Sequence, residues 1–187
     1  MSSTTHPIYK NYEELCEKLL HRLKIGLRYT RVALVTFNSV GGTYTHFDLD
    51  RYDSVEDVVN EIRNLVYTGG TTAIGAGIEE AMKQNDEQHG ARMDKRYNSN
   101  KIMIVFTDGW NNKGPEPEVM AKKAKAAGFD VYAVGVNTFT AKDQEPDVVP
   151  LNDYTLEAIA QDQKHKFTNE NFDQLIDIVR RKNVKCL

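Results

Sequence analysis

Residues 101–109 read KIMIVFTDG, the most strand-like run in the chain. Apolar and β-branched residues end abruptly in a short polar turn, so Asp108 lies where a strand stops. Two further runs have this character. RVALVTF, residues 31–37, is nearly continuous in apolar residues and suits a strand buried on both faces, and DVYAVGV, residues 130–136, reads as another buried strand. GGTYTHFDL alternates apolar and polar residues after a glycine turn, as an antiparallel neighbour or edge strand does. HKFT, residues 165–168, is a weaker strand.

Helical patterns fill the intervals. Asn11 and Glu14 have capping-box spacing, and Tyr12, Leu15, Cys16, Leu19, Leu20 and Leu23 follow on one face, with Gly26 as the stop. Ser54 and Asp57 form a second N-terminal box ahead of Val55, Val58, Val59, Ile62, Leu65 and Val66. TGGTTAIGAGIEEA, residues 68–81, is a glycine turn that opens a helix with Ile74, Ile78, Ala81 and Met82 inward. Further helices are expected over residues 116–127, ending at Gly128, just before Ala160, and over residues 171–182. Strands alternating with helices predict a mostly parallel sheet covered on both faces. No repeat or second domain interrupts residues 1–187.

The 187 residues suffice for one sizeable core, and 40% hydrophobic with 27% charged residues is ordinary for a globular protein. A net charge of −3 offers no general attraction to nucleic acid or anionic membrane. No apolar run is long enough to span a bilayer, and MSSTTHPIYKNYEEL lacks the apolar stretch of a signal peptide. Cys16 falls on an apolar stripe, which predicts a buried thiol, while Cys186 lies in the tail, residues 183–187; a bridge between them is the minority reading. The five histidines are scattered, without zinc spacing.

In an open α/β sheet, ligands gather where strand C-termini meet helix N-termini. Three features converge on that edge: the TGGTT turn, Asp108 after its strand, and the long segment of residues 137–152 after DVYAVGV. A threonine hydroxyl and a carboxylate suit a hard cation such as Mg²⁺, with water completing the shell. Each piece alone also has a plain structural reading. Gly69-Gly70 is a turn, Thr71 or Thr72 caps the helix, and Asp108-Gly109 is ordinary turn chemistry.

Taken together, RVALVTF, GGTTAIGAGI, KIMIVFTDG, DVYAVGV and NFDQLIDIV resemble the von Willebrand factor type A domain family, in order, spacing and local motif, from about Asn11 to the end. The pairing of G-G-x-T-x-x-G before a helix with strand-T-D-G is the more specific part. The resemblance implies an α/β, three-layer, doubly wound, Rossmann-like sheet flanked by helices, with strand order 3-2-1-4-5-6. It implies a metal-ion-dependent adhesion site that binds Mg²⁺ or Mn²⁺, in which Thr72 and Asp108 are ligands. An acidic side chain from a protein partner completes the shell. Gly70, Thr71, Gly109, Trp110 and Asn111 are the candidate rim, and KDQEPDVVP in the long segment is a candidate recognition loop. Adhesive members of the family are often extracellular.

The chain departs from the family at its start. There is no Asp-x-Ser-x-Ser and no first strand; MSSTT stands just before the first helix, so residues 1–10 read as what is left of the metal-motif loop. Ser2 and Thr4 take the serine positions if an aspartate precedes Met1, and registers shifted by a residue or two are equally allowed. The central first strand is therefore missing, flanked on its two sides by RVALVTF and KIMIVFT. Either those strands close on each other, the termini supply a substitute, or a longer parent chain does. With one carboxylate and a few hydroxyls, metal binding is expected to be weak or lost.

The leading expectation is a non-enzymatic protein-binding or adhesion module. A truncated product of little independent stability is one alternative. A Rossmann-like nucleotide- or phosphate-binding protein is the other, which the absence of G-x-G-x-x-G, a Walker lysine or a nucleophile elbow disfavours.

Overall fold

The computed structural model describes residues 6–66, 71–94, 99–136 and 152–184. Their elements follow in the order α1 (His6–Leu20), β1 (Leu34–Phe37), β2 (Thr43–Phe47), α2 (Val55–Arg63), α3 (Ile74–Met82), β3 (Lys101–Phe106), α4 (Pro117–Ala126), β4 (Phe129–Gly135), α5 (Asp153–Ala160), β5 (Lys166–Thr168) and α6 (Phe172–Val184). The alternation of strands and helices is the predicted α/β pattern.

The middle layer consists of two sheets. β3, β4 and β5 are parallel neighbours in that order, and β1 pairs antiparallel with β2. Among the described residues β1 and β3 do not pair with each other. Of the three expected ways to close the central gap, direct pairing of those two strands is thus overturned. Parallel strands of a covered sheet send alternate side chains to opposite helical layers. β4 does so. Val131 and Ala133 join Ile74, Ile78, Met120, Leu156 and Ile159 under α3, α4 and α5, while Tyr132 and Val134 join Leu19, Phe167, Phe172, Leu175 and Val179 under α1 and α6. β1 and β2 carry α2 and α1 on one face, through Leu34, Phe47, Val58, Val59, Ile62 and Leu20.

Three boundaries correct the sequence reading. α1 begins at His6, not Asn11, so residues 6–10 are helix and not loop. Pro7 is compatible with a first helical turn, where its missing N–H has no intrahelical partner to lose, and buried Tyr9 extends the apolar stripe. Asn11 is exposed within the helix and does not cap it. RVALVTF contributes only Leu34–Phe37 as strand, and all four residues are half-buried instead of buried on both faces; among the described residues β1 has a strand neighbour on one side alone. α2 stops at Arg63, which leaves Leu65 half-buried and Val66 81% exposed beyond it. Its N-terminus is as expected. The Ser54 hydroxyl accepts from the Asp57 amide at 3.2 Å and donates to the Asp57 carboxylate at 2.8 Å, a cap that contributes ~1 kcal/mol.

Cys16 is a free thiol against the cluster beneath β1 and β2, and burial, with Glu13 and Glu17 nearby, pushes its pKa up to about 12. It therefore stays protonated and inert. Cys186, and with it any bridge, lies outside the described residues, as do Ser2, Thr4, Gly70 and residues 137–151.

Candidate functional site

The turn that carries Thr72 and the loop that carries Asp108 are locked together at the strand C-terminal edge. β3 delivers its chain to Thr107, whose amide still donates to the Val134 carbonyl at 3.0 Å. The ladder ends there, and Asp108 starts the loop that leads to α4. That loop turns back over the N-terminus of α3. The Asn112 amide donates to the Thr72 carbonyl at 2.8 Å, and the Lys113 amide donates to the same oxygen at 3.3 Å. Asn111 supplies its side-chain oxygen to the Ile74 amide at 2.9 Å.

This last contact replaces the cap expected from Thr71 or Thr72. Ala73 occupies the N-cap position and offers no side-chain bond, so one of the orphan amides of α3 is satisfied from the neighbouring loop. Asn111, read from the sequence as a rim residue, is a structural cap. Close approach of the two segments depends on Gly75, the last glycine of the motif. A Cβ there would sit 2.0 Å from the Pro115 carbonyl oxygen. α3 approaches β1 in the same manner, since a Cβ on Gly77 would lie 2.4 Å from the Phe37 ring.

Thr72 is fully buried and Asp108 is 6% exposed. One Asp108 oxygen accepts the Trp110 amide at 3.1 Å, an Asx turn that fixes the carboxylate relative to its own backbone. The Asp108 carbonyl accepts the Asn152 amide at 2.8 Å, which ties the site to the residue that caps α5. Gly109 is buried and donates to the Thr107 hydroxyl at 3.1 Å. Thr71 is half-buried, and its hydroxyl has no hydrogen-bond partner among the described residues. Trp110 is 39% exposed, and Val40, from the β1–β2 turn, is exposed beside Gly114 of the same loop.

Sequence reasoning missed Tyr12. Its place on the apolar stripe of α1 suggested core alone. It is indeed buried, edge-on to Phe106 at 5.9 Å and packed with Val136, but this puts its phenol in the field of Asp108. Burial first, and then that carboxylate, raise its pKa, so the phenol remains neutral. Both neighbours end parallel strands, so the strand order carried the signal.

As hard oxygen donors, the Asp108 carboxylate and Thr72 hydroxyl match Mg²⁺ or Mn²⁺ in kind. They do not match in number. Among the described residues no group of three His, Cys, Asp or Glu side chains could hold a metal ion. Asp108 supplies the one carboxylate of this pair and Thr72 a hydroxyl. At the N-terminus of α3, Asn111 occupies the first amide, one of the groups that a phosphate would otherwise meet there. No described helix is long and apolar enough to cross a membrane.

With this geometry in view, comparison with known proteins is specific. The model of the von Willebrand factor type A domain matches residues 2–181. Matrilin-4 of Mus musculus is 32% identical over 158 residues, covering 83% of this chain and 23% of that protein. Integrin alpha-11 of Homo sapiens is 30% identical over 164 residues, covering 86% and 13%. The chain thus spans less than a quarter of either relative's length. Among solved structures, proximal thread matrix protein 1 from the mussel byssus, with a zinc-occupied MIDAS motif, superposes with a TM-score of 0.73 at 23% identity over 93% of this chain and 42% of that one.

Proposed function

This chain belongs to the von Willebrand factor type A domain family, and on that premise we propose that it is a non-enzymatic protein-binding module of the adhesion type. Its ligand face is the strand C-terminal edge, where Thr72 and Asp108 form a partial metal-ion-dependent adhesion site and Trp110 flanks it. The observation that carries this reading is the joint bracing of the two motif segments. One loop delivers Asp108, grips the Thr72 carbonyl and caps α3. Such bracing holds the two oxygen donors in fixed relation before any ligand arrives. An extracellular place and a protein partner with an acidic contact residue belong to the same reading, as does weak affinity for Mg²⁺ or Mn²⁺ from a donor set with one carboxylate.

Calorimetric titration tests it. MnCl₂ should give a dissociation constant in about the millimolar range, Asp108→Ala should abolish the heat, and ATP should give none. Heat from nucleotide that survives Asp108→Ala would overturn the adhesion reading in favour of a Rossmann-like binder. Silence toward MnCl₂ would remove the metal and leave the protein-binding surface.

The split middle layer favours a second reading, limited stability of this chain alone. Two strands that share no ladder contribute less cooperativity than a continuous sheet, so a broad, shallow thermal transition would support it and a sharp one would exclude it.

A further inference from the structure

α4 and α5 pack over the same face of β4, and between them lies a groove of about 470 Å³. Its walls follow helical spacing. α5 and its cap contribute Tyr154, Glu157, Ala158 and Gln161, at i, i+3, i+4 and i+7, and α4 contributes Glu118 and Lys122, one turn apart. Both helices start at the strand C-terminal edge. The loop of Asp108 leads into α4, and Asn152, which caps α5, donates its amide to the Asp108 carbonyl. The groove therefore begins at the ligand edge, at Glu118 and Tyr154, and runs down the side of the molecule.

Folding leaves three features of its walls unused. Tyr154 is 77% exposed, the most open aromatic ring among the described residues. Two carboxylates each use one oxygen. Glu118 Oε1 accepts from Lys122 at 2.6 Å, and Glu157 Oε1 accepts from Lys166 at 2.9 Å and Gln163 at 2.6 Å, while no bond from a described residue reaches either Oε2. Those bonds from Lys166 and Gln163 hold the Glu157 carboxyl below the usual carboxylate range, so it is anionic at neutral pH. Gln161 is the one non-glycine with positive φ among the described residues, at 65°, in a helix-capping position where glycine is the unstrained choice.

We propose that this groove takes an arginine side chain of a protein partner. A cation over an open tyrosine face gains a cation–π contact, and the planar guanidinium also stacks there. Its five donors suit a set of several acceptors, here the two free carboxylate oxygens and the Gln161 side-chain carbonyl. The ion pairs around the groove set three carboxylates, on Glu118, Asp153 and Glu157, against two ammonium groups, on Lys122 and Lys166. Lys125, further along α4, is engaged by the Ala160 carbonyl at 2.7 Å. Lys122 is the competitor for Glu118. Its side chain is 61% exposed and such surface pairs are weak, so an incoming guanidinium displaces it readily. The proposal rests on the protein-binding reading for its partner and needs no metal.

Two-dimensional amide NMR on the full chain in EDTA tests it. The probe is the blocked tripeptide Ala-Arg-Ala, and its control carries citrulline, the neutral isostere of arginine. The arginine peptide should give saturable shifts at Glu118, Lys122, Tyr154, Glu157 and Gln161, and the citrulline peptide should bind about tenfold or more weakly. Tyr154→Ala should raise the dissociation constant about two- to fivefold. Lys122→Ala should lower it about twofold, a gain that a misfolded variant would not mimic. Silence at the groove, shifts scattered over other surface carboxylates, an equal response to citrulline, or indifference to both variants would each overturn the proposal. With metal chelated, none of these outcomes bears on Thr72 and Asp108, which the MnCl₂ titration tests separately.

Discussion

The two half-sheets were built from similar raw material and came out differently. DVYAVGV and RVALVTF are both short, valine-rich runs. The first became β4, with a parallel strand on each side and five successive buried residues from Val131 to Gly135. The second became β1, with one antiparallel neighbour and four half-buried residues. Composition makes a segment eligible for a buried strand, and neighbours decide whether it is one. The chain is solid where the ladder is continuous and thin where it stops.

That contrast can be broken most directly by truncation. Phe172, fully buried under β4 and β5, should lose about 3–5 kcal/mol as Phe172→Ala, whereas half-buried Leu34→Ala should lose about half as much in urea unfolding. Equal losses would mean that the open half is packed as tightly as the closed one. Asn111→Ala tests the join between loop and helix. It removes the bond to the Ile74 amide and should cost about 1 kcal/mol, and Asn111→Asp should restore most of it.

The smallest effect concerns the helices over the open half. Arg63 donates two bonds to Glu17, at 2.6 and 2.7 Å, and so clips α2 to α1. The hydrogen bond from Arg63 holds the Glu17 carboxyl below the usual carboxylate range, against a smaller opposing effect of burial. A carboxyl depressed in the folded state stabilises above its unfolded value of about 4.3 and loses that contribution as pH falls through the folded value. Arg63→Met should flatten this acid limb. At neutral pH its effect on stability should be the smallest of the three, because the Arg63 side chain is 58% exposed and solvent screens the pair.

Most of the layer pattern was legible beforehand. Strand positions and the inward faces of α2, α3 and α6 follow from periodicity and strand character, the parallel pairing of the closed half follows from strand–helix alternation, and strand order came only from the family resemblance. Thr72 and Asp108 were singled out by the family resemblance, and the structure sets their two segments in direct hydrogen-bond contact. What escaped was nonlocal. Asn111 caps a helix that starts 37 residues earlier, so no window around TGGTT contains its cap. Tyr12 looked like core because it is core, and only the strand order brings it beside Asp108. The start of α1 was misplaced for the opposite reason. Asn11 and Glu14 formed a plausible local box, yet the apolar stripe extends back through Tyr9.

Gly77 has a mechanical consequence. By letting the Phe37 ring rest against α3, it couples that helix to the thin half of the molecule, while Asn111, bonded to Ile74 three residues earlier, couples the same first turn to the loop of Asp108. Load that pulls β1 away from α3 therefore meets the first turn of that helix and, through it, the loop of Asp108. In a module that holds onto something under tension, grip and strain share a single transmission line.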